Sequence, residues 1–425
     1  MREMKDSGIE WIGEIPEDWG LGRIGQFYAE RNAKVSDKDY PPLSITKNGV
    51  VPQLSSAAKT NDTDNRKLVK KDDFVINSRS DRRGSCGISP YDGSCSLINI
   101  VLEPQQNMCS RYYNYVFKSD LFADEFYKWG NGIVDDLWST KWSQMKKIYV
   151  PYPPIPQQNA IATYLDSKCS QIDFIVEKTR QEIEKLKEYR QSMITEVVTK
   201  GLDPDVEMKD SGVCYFGSIP ITWSVIAIKH GCKKISDGSH FSPVTVDDGI
   251  PYITAKDVQG IGLNYSKAKK ISYKDYEQLK KAGCQLKKGH VLLVKDGAGV
   301  GRTGLVTDDT LCVVLSSVAY FETNSDTESK YLMYVLSSTA LQEQIKTVVA
   351  GSAITRITLT KISTFLIPRP PLSDQKRIVA FLDAKCSHIE IAIQTKQKVI
   401  DELNQYKKSM IYECVTGKKE VPSNA

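Results

Sequence analysis

The sequence lacks the patterns that mark membrane, secreted and zinc-binding proteins. No run of about 18 apolar residues occurs, so we expect no transmembrane helix, and the opening residues MREMKDS are too polar for a secretory signal. The ten cysteines are scattered without a C-x-x-C pair, and there are only four histidines, so neither zinc-ligand spacing nor a disulfide framework is visible. We therefore expect a cytoplasmic protein with reduced thiols, no metal site and no membrane partner.

Motifs of several common enzyme classes are absent as well. The sequence has no G-x-S-x-G or H-E-x-x-H segment, and residues 152–155 (YPPI) do not form the N-P-P-[YF] signature of amino-methyltransferases. The glycine-rich stretch 297–304 looks like a phosphate-binding loop. However, a P-loop ending at Thr303 needs glycine at 296 and lysine at 302, where Asp296 and Arg302 stand. We predict no catalytic residue, no cofactor and no ATP site.

Length and charge leave the function open. At roughly 100–200 residues per domain, a chain of 425 residues contains two to four domains. Lysine and arginine number 57 against 52 aspartates and glutamates, so the formal net charge is 57 − 52 = +5. This excess is weak evidence for a polyanionic partner, because many proteins carry it without binding one.

The chain contains a tandem duplication. Residues 4–8 (MKDSG) recur without change at 208–212, an offset of 204. Further along the offset is 217, and residues 165–170 (LDSKCS) match residues 382–387 (LDAKCS). Several matches in one order are not expected by chance, so the sequence indicates two related units.

The change of offset shows where the two copies differ. Lys70-Lys71 already correspond at +217 to Lys287-Lys288, so the second copy gains 217 − 204 = 13 residues before this point. Both copies then reach a proline-rich segment, VPYPP at 150–154 and IPRPP at 367–371. The order is an opening motif, a globular body, a proline-rich exit and a helix, and then all four again.

Each copy is predicted to end in a long amphipathic helix. From residue 158 to about 199, and again from 378, apolar residues recur at steps of three and four without an intervening glycine or proline. This pattern is typical of a helix with a narrow coiled-coil seam, and about 42 residues span about 60 Å. Prolines precede the predicted starts and glycines follow the ends, which fits helix punctuation: Pro156, Pro371, Gly201 and Gly417.

Two unrelated surface helices would produce the same pattern. We favour pairing between them, because each has a seam to bury and the other copy supplies a matching one. We expect the pair to be antiparallel, since a whole globular body separates the helices and must return the chain near the far end.

The two bodies, at about 20–150 and 224–367, are predicted to mix strands and helices. Short β-branched or aromatic runs such as 73–77 (DFVIN) and 291–294 (VLLV) alternate with turn residues, and 112–117 (YYNYVF) is a helical piece. The predicted class is α+β, with two globular domains separated by two long antiparallel coiled-coil helices.

The main candidate for nucleic-acid contact is residues 77–85 (NSRSDRRGS), which place three arginines within five positions. A guanidinium can bond guanine O6 and N7 together, while serine and asparagine reach other base edges or phosphates. The corresponding segment of the second copy is 295–304 (KDGAGVGRTG). A solvated hairpin loop is the alternative, and it is disfavoured because both copies are polar at this site.

Other polar loops complete the candidate set. His240 has no partner motif for a catalytic base, so we expect it to be a polar loop residue. The segment with Arg356 and Thr358 lies opposite residues 138–142 of the first copy, and these positions either contact DNA or close the sheet. The predicted DNA-binding residues are Lys47, Asn48, Asn77, Ser78, Arg79, Arg82, Arg83, Ser85, Ser239, His240, Lys256, Lys295, Arg302, Thr303, Arg356 and Thr358.

Taken together, these segments resemble the specificity (S) subunit of type I restriction-modification systems over essentially the whole chain. The resemblance rests on the duplicated Ile-Pro-x-x-Trp opening at 15–19 and 219–223 and on DGSHF at 237–241 with GIPY at 249–252. It also rests on the exit-to-helix segments, of which PPLSDQKRIVAFLD at 370–383 is the most family-specific.

The resemblance implies a non-catalytic subunit of a larger enzyme. Each body would be a target-recognition domain for one half of an asymmetric, split double-stranded DNA sequence. The helices would act as a ruler and bind two methyltransferase (M) subunits for adenine-N6 methylation, and restriction (R) subunits would complete an ATP-dependent endonuclease. The implied segments are recognition domains at 1–152 and 202–369, spacer helices at 153–201 and 370–417, and a tail at 418–425.

Two other classes remain to be distinguished by experiment. A stand-alone methyltransferase or nuclease would consume S-adenosylmethionine or cut DNA as the purified chain alone. A coiled-coil scaffold would show no salt-sensitive binding to duplex DNA.

Overall fold

The computed structural model describes residues 2–55, 63–132, 138–349 and 356–422. The chain divides into two compact units: unit 1 contains residues 1–180 and 397–425, and unit 2 contains residues 181–396. None of the described helices has a stretch long and apolar enough to span a bilayer.

Unit 1 is built from short strands and helices. Its strands are β1 (Met4–Asp6), β2 (Glu14–Pro16), β3 (Gly20–Arg23), β4 (Tyr28–Glu30), β5 (Lys34–Val35), β6 (Leu43–Thr46), β7 (Gly49–Pro52), β8 (Arg66–Val69), β9 (Phe74–Asn77), β10 (Cys86–Ile88), β11 (Gly93–Cys95), β12 (Asn99–Pro104) and β13 (Tyr149–Tyr152). Its helices are α1 (Ile24–Phe27), α2 (Ser110–Lys118), α3 (Asp120–Lys128), α4 (Trp142–Met145), the first part of α5 (Ile155–Lys200) and residues 397–415 of the last helix. The largest sheet is antiparallel with the order β10-β9-β12-β4.

The core of unit 1 forms where α2 covers this sheet. All four residues of β9 are buried, as expected of a central strand with both faces covered. On α2, Tyr113 and Phe117 are four positions apart and therefore share one face, which is buried. The rings of Phe117 and Phe74 lie 4.8 Å apart, so aromatic packing joins helix and sheet.

Unit 2 repeats this plan with additions. Its strands are β14 (Met208–Asp210), β15 (Ser218–Pro220), β16 (Ser224–Ala227), β17 (Cys232–Asp237), β18 (Thr245–Val246), β19 (Ile250–Ile253), β20 (Gly260–Ile261), β21 (Lys269–Ile271), β22 (Val291–Val294), β23 (Thr303–Leu305), β24 (Val313–Val314), β25 (Val318–Thr323) and β26 (Leu366–Arg369). Its helices are the last part of α5 (residues 181–200), α6 (Tyr273–Lys281), α7 (Ser329–Ser337), α8 (Thr339–Val349), α9 (Leu359–Ser363) and the first part of α10 (Leu372–Val415). The sheet β17-β25-β22-β23 has the order of its counterpart in unit 1, with β20 added in parallel at the β23 edge.

The extra 13 residues of the second copy fall between corresponding strands. The offset is 232 − 28 = 204 between the starts of β4 and β17, and 291 − 74 = 217 between the starts of β9 and β22. Unit 2 has helix α6 in this interval, whereas the described residues of unit 1 have strands there. The insertion thus enlarges the body and leaves the shared sheet intact.

Helix α5 starts earlier than the sequence pattern predicts, whereas α10 starts directly after Pro371, the predicted boundary. Helix α5 begins at Ile155, so Pro156 lies in its first turn instead of before it. A proline is tolerated there, because the first-turn N–H groups have no partner within the helix. The predicted end is confirmed: Gly201 follows α5 with φ +80°, and its N–H donates to the Val197 carbonyl oxygen at 3.0 Å.

The helices run antiparallel within each unit. In unit 2, Arg190 of α5 pairs with Glu390 of α10 at 2.9 Å, and Glu182 pairs with Lys396 at 2.6 Å. The residue earlier in α5 thus contacts the residue later in α10, as in an antiparallel pair. In unit 1 Lys407 contacts Asp173 at 2.7 Å. The buried seam positions match the predicted periodicity: Ile161, Leu165, Cys169, Ile172 and Val176 in α5, and Ile378, Leu382 and Ile389 in α10. The predicted fold class is confirmed.

Candidate nucleic-acid interface

In unit 1 the loop between β9 and β10 brings six of the predicted DNA-binding residues together. Three of them are buried and shape the loop: Asn77, Ser78 and Ser85. The Asn77 side-chain oxygen accepts a hydrogen bond from the Arg79 N–H at 3.1 Å. A 3₁₀ turn at Ser80–Arg82 then reverses the chain toward Gly84, whose φ of +75° is one that glycine adopts without strain.

The three arginines of this loop have different surroundings. Arg83 is held by an ion pair to Asp124 and donates to the Asp120 carbonyl oxygen at 3.1 Å. Arg82 is exposed and lies 3.5 Å from the carboxylate of its neighbour Asp81. Within the described residues, Arg79 has no acidic partner and is half-buried. A guanidinium without an acidic partner keeps its donors available for an anion or a base edge.

The other two predicted residues of unit 1, Lys47 and Asn48, lie elsewhere. They form the exposed turn between β6 and β7, where the Asn48 N–H donates to Thr46 Oγ1 at 3.1 Å. They line a cleft of about 1040 Å³ together with Arg83, Lys118 and Lys408. The structure thus separates Lys47 and Asn48 from Arg79, which lines a different cleft.

In unit 2 the equivalent loop is built around a buried lysine. Lys295 is only 1% exposed, and its Nζ lies 3.3 Å from Asp237 Oδ2 and 3.4 Å from Asp296 Oδ2. Each aspartate also faces an exposed basic side chain: His240 Nε2 is 3.6 Å from Asp237, and Arg356 Nε is 3.3 Å from Asp296. A five-residue charge network therefore ends in two side chains at the surface.

Two cations, Arg302 and Lys256, lie beside this network. Arg302 is exposed and donates from Nη1 to the Ala255 carbonyl oxygen at 3.1 Å, next to the exposed Lys256. Neither cation has an acidic partner in the described part of the chain. Gly297 and Gly301 have φ values of +84° and +92°, so the glycine-rich stretch folds as a turn between β22 and β23 that presents Arg302.

Three predicted residues of unit 2 use their hydroxyl groups to hold the backbone or lie in the core. Ser239 is buried and its Oγ donates to the Phe241 carbonyl oxygen at 2.7 Å. Thr358 caps α9, with Oγ1 accepting from the Lys361 N–H at 3.3 Å. Thr303 is buried in β23. Ser239 and Thr303 are buried and support the loops, whereas Thr358 is exposed. All three stay predictions as DNA contacts.

Sequence reasoning left Lys67 and Lys146, which lie beside Arg79, out of the candidate set, and it named Lys141 only within the segment 138–142 that either contacts DNA or closes the sheet. The cleft that contains Arg79 has a volume of about 580 Å³ and is also lined by Lys67, Lys141 and Lys146. Lys141 follows Ser139 and Thr140, the counterparts at +217 of Arg356 and Ile357. The repeat pairs Ser139 with Arg356, which was among the predicted DNA-binding residues, whereas Ser139 was not. The repeat offset of 217 could therefore have pointed to the segment that contains Ser139 and Lys141.

No group of three or more His, Cys, Asp or Glu side chains is arranged to hold a metal ion within residues 2–55, 63–132, 138–349 and 356–422. All ten cysteines are unpaired, and most are buried. Burial raises the pKa of the Cys86 and Cys95 thiols to about 12.

Comparison with known proteins gives matches along the whole chain. A family model described as a type I restriction modification DNA specificity domain matches residues 16–185 and again residues 220–404. The type I restriction enzyme MjaVIII specificity subunit of Methanocaldococcus jannaschii is 24% identical over 428 residues, which cover 96% of this chain and 94% of that protein. The putative MjaX specificity subunit of the same organism is 24% identical over 442 residues, 96% of each chain.

Two solved structures share the fold. A chain from a study of complex assembly and conformational transition of a type I R-M system has a TM-score of 0.73 at 15% identity, covering 95% of this chain and 99% of its own. The HsdS subunit from Thermoanaerobacter tengcongensis has a TM-score of 0.52 at 17% identity, with coverage of 95% and 98%. At these identities the likeness concerns the fold alone.

Proposed function

This chain belongs to the type I restriction-modification DNA specificity family, and we propose that it recognises an asymmetric, two-part DNA sequence, one half-site per unit. It is a specificity subunit, so methyl transfer and cleavage are the work of other subunits. The observation that carries the proposal is that the loop after β9 and the loop after β22 each present an arginine, Arg79 and Arg302, that has no acidic partner among the described residues. We propose recognition domains at 1–152 and 202–369 and spacer segments at 153–201 and 370–417.

The charges of the loops suit DNA for two separate reasons. Lysines and arginines near the backbone neutralise phosphates and release counterions, which gives affinity without sequence preference. Arginines that enter the major groove bond guanine O6 and N7, which gives sequence preference. Arg82 and Lys256, exposed on the surface, fit the first role. Arg79 and Arg356, each beside a second chain segment, fit the second.

The long helices offer surfaces for the methyltransferase subunits. Phe174 on α5 and Ile391 on α10 are 63% and 58% exposed, and they correspond at the offset of 217. Tyr189 and Tyr406 are a second exposed pair at the same offset. Aromatic residues are enriched in protein interfaces, and exposure at equivalent positions of both copies makes these side chains candidates for contact with a partner. Two equivalent sites support two methyltransferase subunits per chain, and restriction subunits would join this complex.

The experiment is a methylation assay with reconstituted components. The full chain together with its methyltransferase subunits should transfer methyl groups to duplex DNA in a sequence-dependent way, while neither component alone should. Phe174→Asp and Ile391→Asp together should abolish co-purification of the methyltransferase, whereas Lys187→Asp, an exposed change on the same helix, should not. Methyl transfer or DNA cleavage by the chain alone would contradict the proposal. In a cell without a nucleus the DNA lies in the cytoplasm, and we propose that the protein acts there.

A further inference from the structure

One backbone feature occurs at the same place in both units. In unit 1, Arg79 forms an isolated antiparallel β-bridge with Ser139, and in unit 2, Asp296 forms one with Arg356. The offsets are 296 − 79 = 217 and 356 − 139 = 217, so the two bridges are repeats of each other. Each bridge joins the loop after the central strand to the segment that leads to the proline-rich exit.

The hydrogen bonds beside the bridges also repeat. The Thr140 N–H donates to the Ser78 carbonyl oxygen at 3.0 Å, and the Ile357 N–H donates to the Lys295 carbonyl oxygen at 2.9 Å. The backbone at this point is therefore the same in both units, and only the side chains differ. Each unit carries one arginine here, but on opposite sides of the bridge: Arg79 on the loop and Arg356 on the exit segment.

In unit 1 the bridge lies in a cleft with the chemistry of a base-recognition site. Arg79 and Ser139 line the cleft of about 580 Å³, and the exposed Lys141 and Lys146 lie at the same cleft without an acidic partner among the described residues. Two apolar side chains also line it and stay exposed, Leu97 at 43% and Ile98 at 37%. Apolar atoms beside a guanidinium fit the major groove, where thymine methyl groups alternate with polar base edges.

In unit 2 the arginine of the bridge, Arg356, is held by an ion pair to the opposite residue, Asp296. Arg356 Nε lies 3.3 Å from Asp296 Oδ1, and the Arg356 side chain is 53% exposed. Asp296 is in turn 3.4 Å from the buried Lys295. An arginine fixed in this way loses less side-chain entropy on meeting a base than a free one.

We propose that this bridge is the point at which each unit discriminates one base pair, and that its two side chains decide which base is accepted. The inference rests on the proposed function and assigns its specificity-determining residues: Arg79 with Ser139 in unit 1, and Arg356 with Asp296 in unit 2. Each half-site then contains a guanine recognised by the arginine.

The test measures base preference in the full complex of the chain with its methyltransferase subunits. A duplex library with every position randomised is methylated, and the enriched motif is read by sequencing. Arg79→Ala should lower the preference for guanine at one position of one half-site by about 5- to 150-fold, the range of a bidentate contact, and leave the other half-site unchanged. Arg356→Ala should do the same in the other half-site.

A matched control lies on the same loop. Arg82→Ala removes an exposed arginine three residues from Arg79 that does not line the cleft, and it should leave base preference unchanged. Arg79→Lys keeps the charge but loses the bidentate geometry, so it should weaken the guanine preference even if Arg79→Ala fails to fold.

Four results would decide the matter. A motif that is unchanged in both Arg79→Ala and Arg79→Lys, or one that changes in both half-sites, would overturn the inference while leaving the proposed function intact. Absence of any sequence motif for the unaltered complex would overturn the proposed function itself. Loss of a single guanine from a single half-site would support both.

Discussion

Replacing Lys295 by methionine distinguishes a structural role of this residue from direct contact with DNA. The sequence predicts Lys295 as a DNA-binding residue, but its side chain is almost fully buried between two carboxylates. A buried ammonium cannot reach a phosphate unless the loop opens. We therefore expect Lys295→Met to act first on stability and only through the loop on DNA recognition.

The magnitude follows from the burial of the three groups. Removing one partner of a fully buried ion pair costs about 3–5 kcal/mol, because the remaining charge is left uncompensated. The Asp237 and Asp296 side chains are 17% and 25% exposed. Water can therefore partly solvate the carboxylates left without a partner, and we expect a loss of about 2–3 kcal/mol in the free energy of unfolding. For a unit of this size, that lowers the midpoint of thermal unfolding by about 4–12 °C.

The assay combines calorimetric unfolding of the full chain with binding to duplexes that alter one half-site at a time. Lys295→Met should lower the unfolding midpoint and weaken recognition of the unit 2 half-site only. The matched control is Arg302→Met, which removes an exposed cation from the same loop and should weaken DNA binding with unchanged stability. If Lys295→Met kept its full stability and lost DNA affinity as Arg302→Met does, the structural account of Lys295 would be wrong.

Three further predictions follow from exposure and burial. Arg82→Ala should weaken binding to all duplexes by the same factor, as loss of a phosphate contact does; a loss confined to one half-site would instead indicate a base contact. Burial lowers the pKa of His290, which is stacked on Tyr320. The unfolded chain therefore binds the proton more tightly, so stability should fall as pH decreases below about 6.5, and His290→Gln should remove this dependence in urea titrations. The exposed Cys214 should react with iodoacetamide before the buried thiols, as peptide mass mapping would show.

The repeat and the long helices could be predicted from the sequence because their signals are local or periodic. The steps of three and four residues in α5 and α10 are independent of the rest of the fold, and antiparallel pairing followed from chain connectivity. Only the start of α5 was misplaced, since Pro156 looks like a boundary but is accommodated in the first turn.

The side-chain environment of the candidate site could not be predicted in the same way. Lys295 and Arg302 are both cations of one polar loop, yet the first is buried because Asp237, at the end of β17, lies against it. Likewise, Arg79 and Arg83 differ because Asp124 on α3 reaches only the second. These partners are distant in sequence, so only the tertiary fold distinguishes a structural cation from one available to DNA.

The central claim is tested most directly by sequencing methylated bases in the genomic DNA of cells that express the chain with its methyltransferase subunits, and of cells that lack only the chain. We expect one asymmetric motif of two parts separated by a fixed unread gap, present in the first cells and absent from the second. A motif that persists without the chain, or a continuous symmetric motif, would contradict the account.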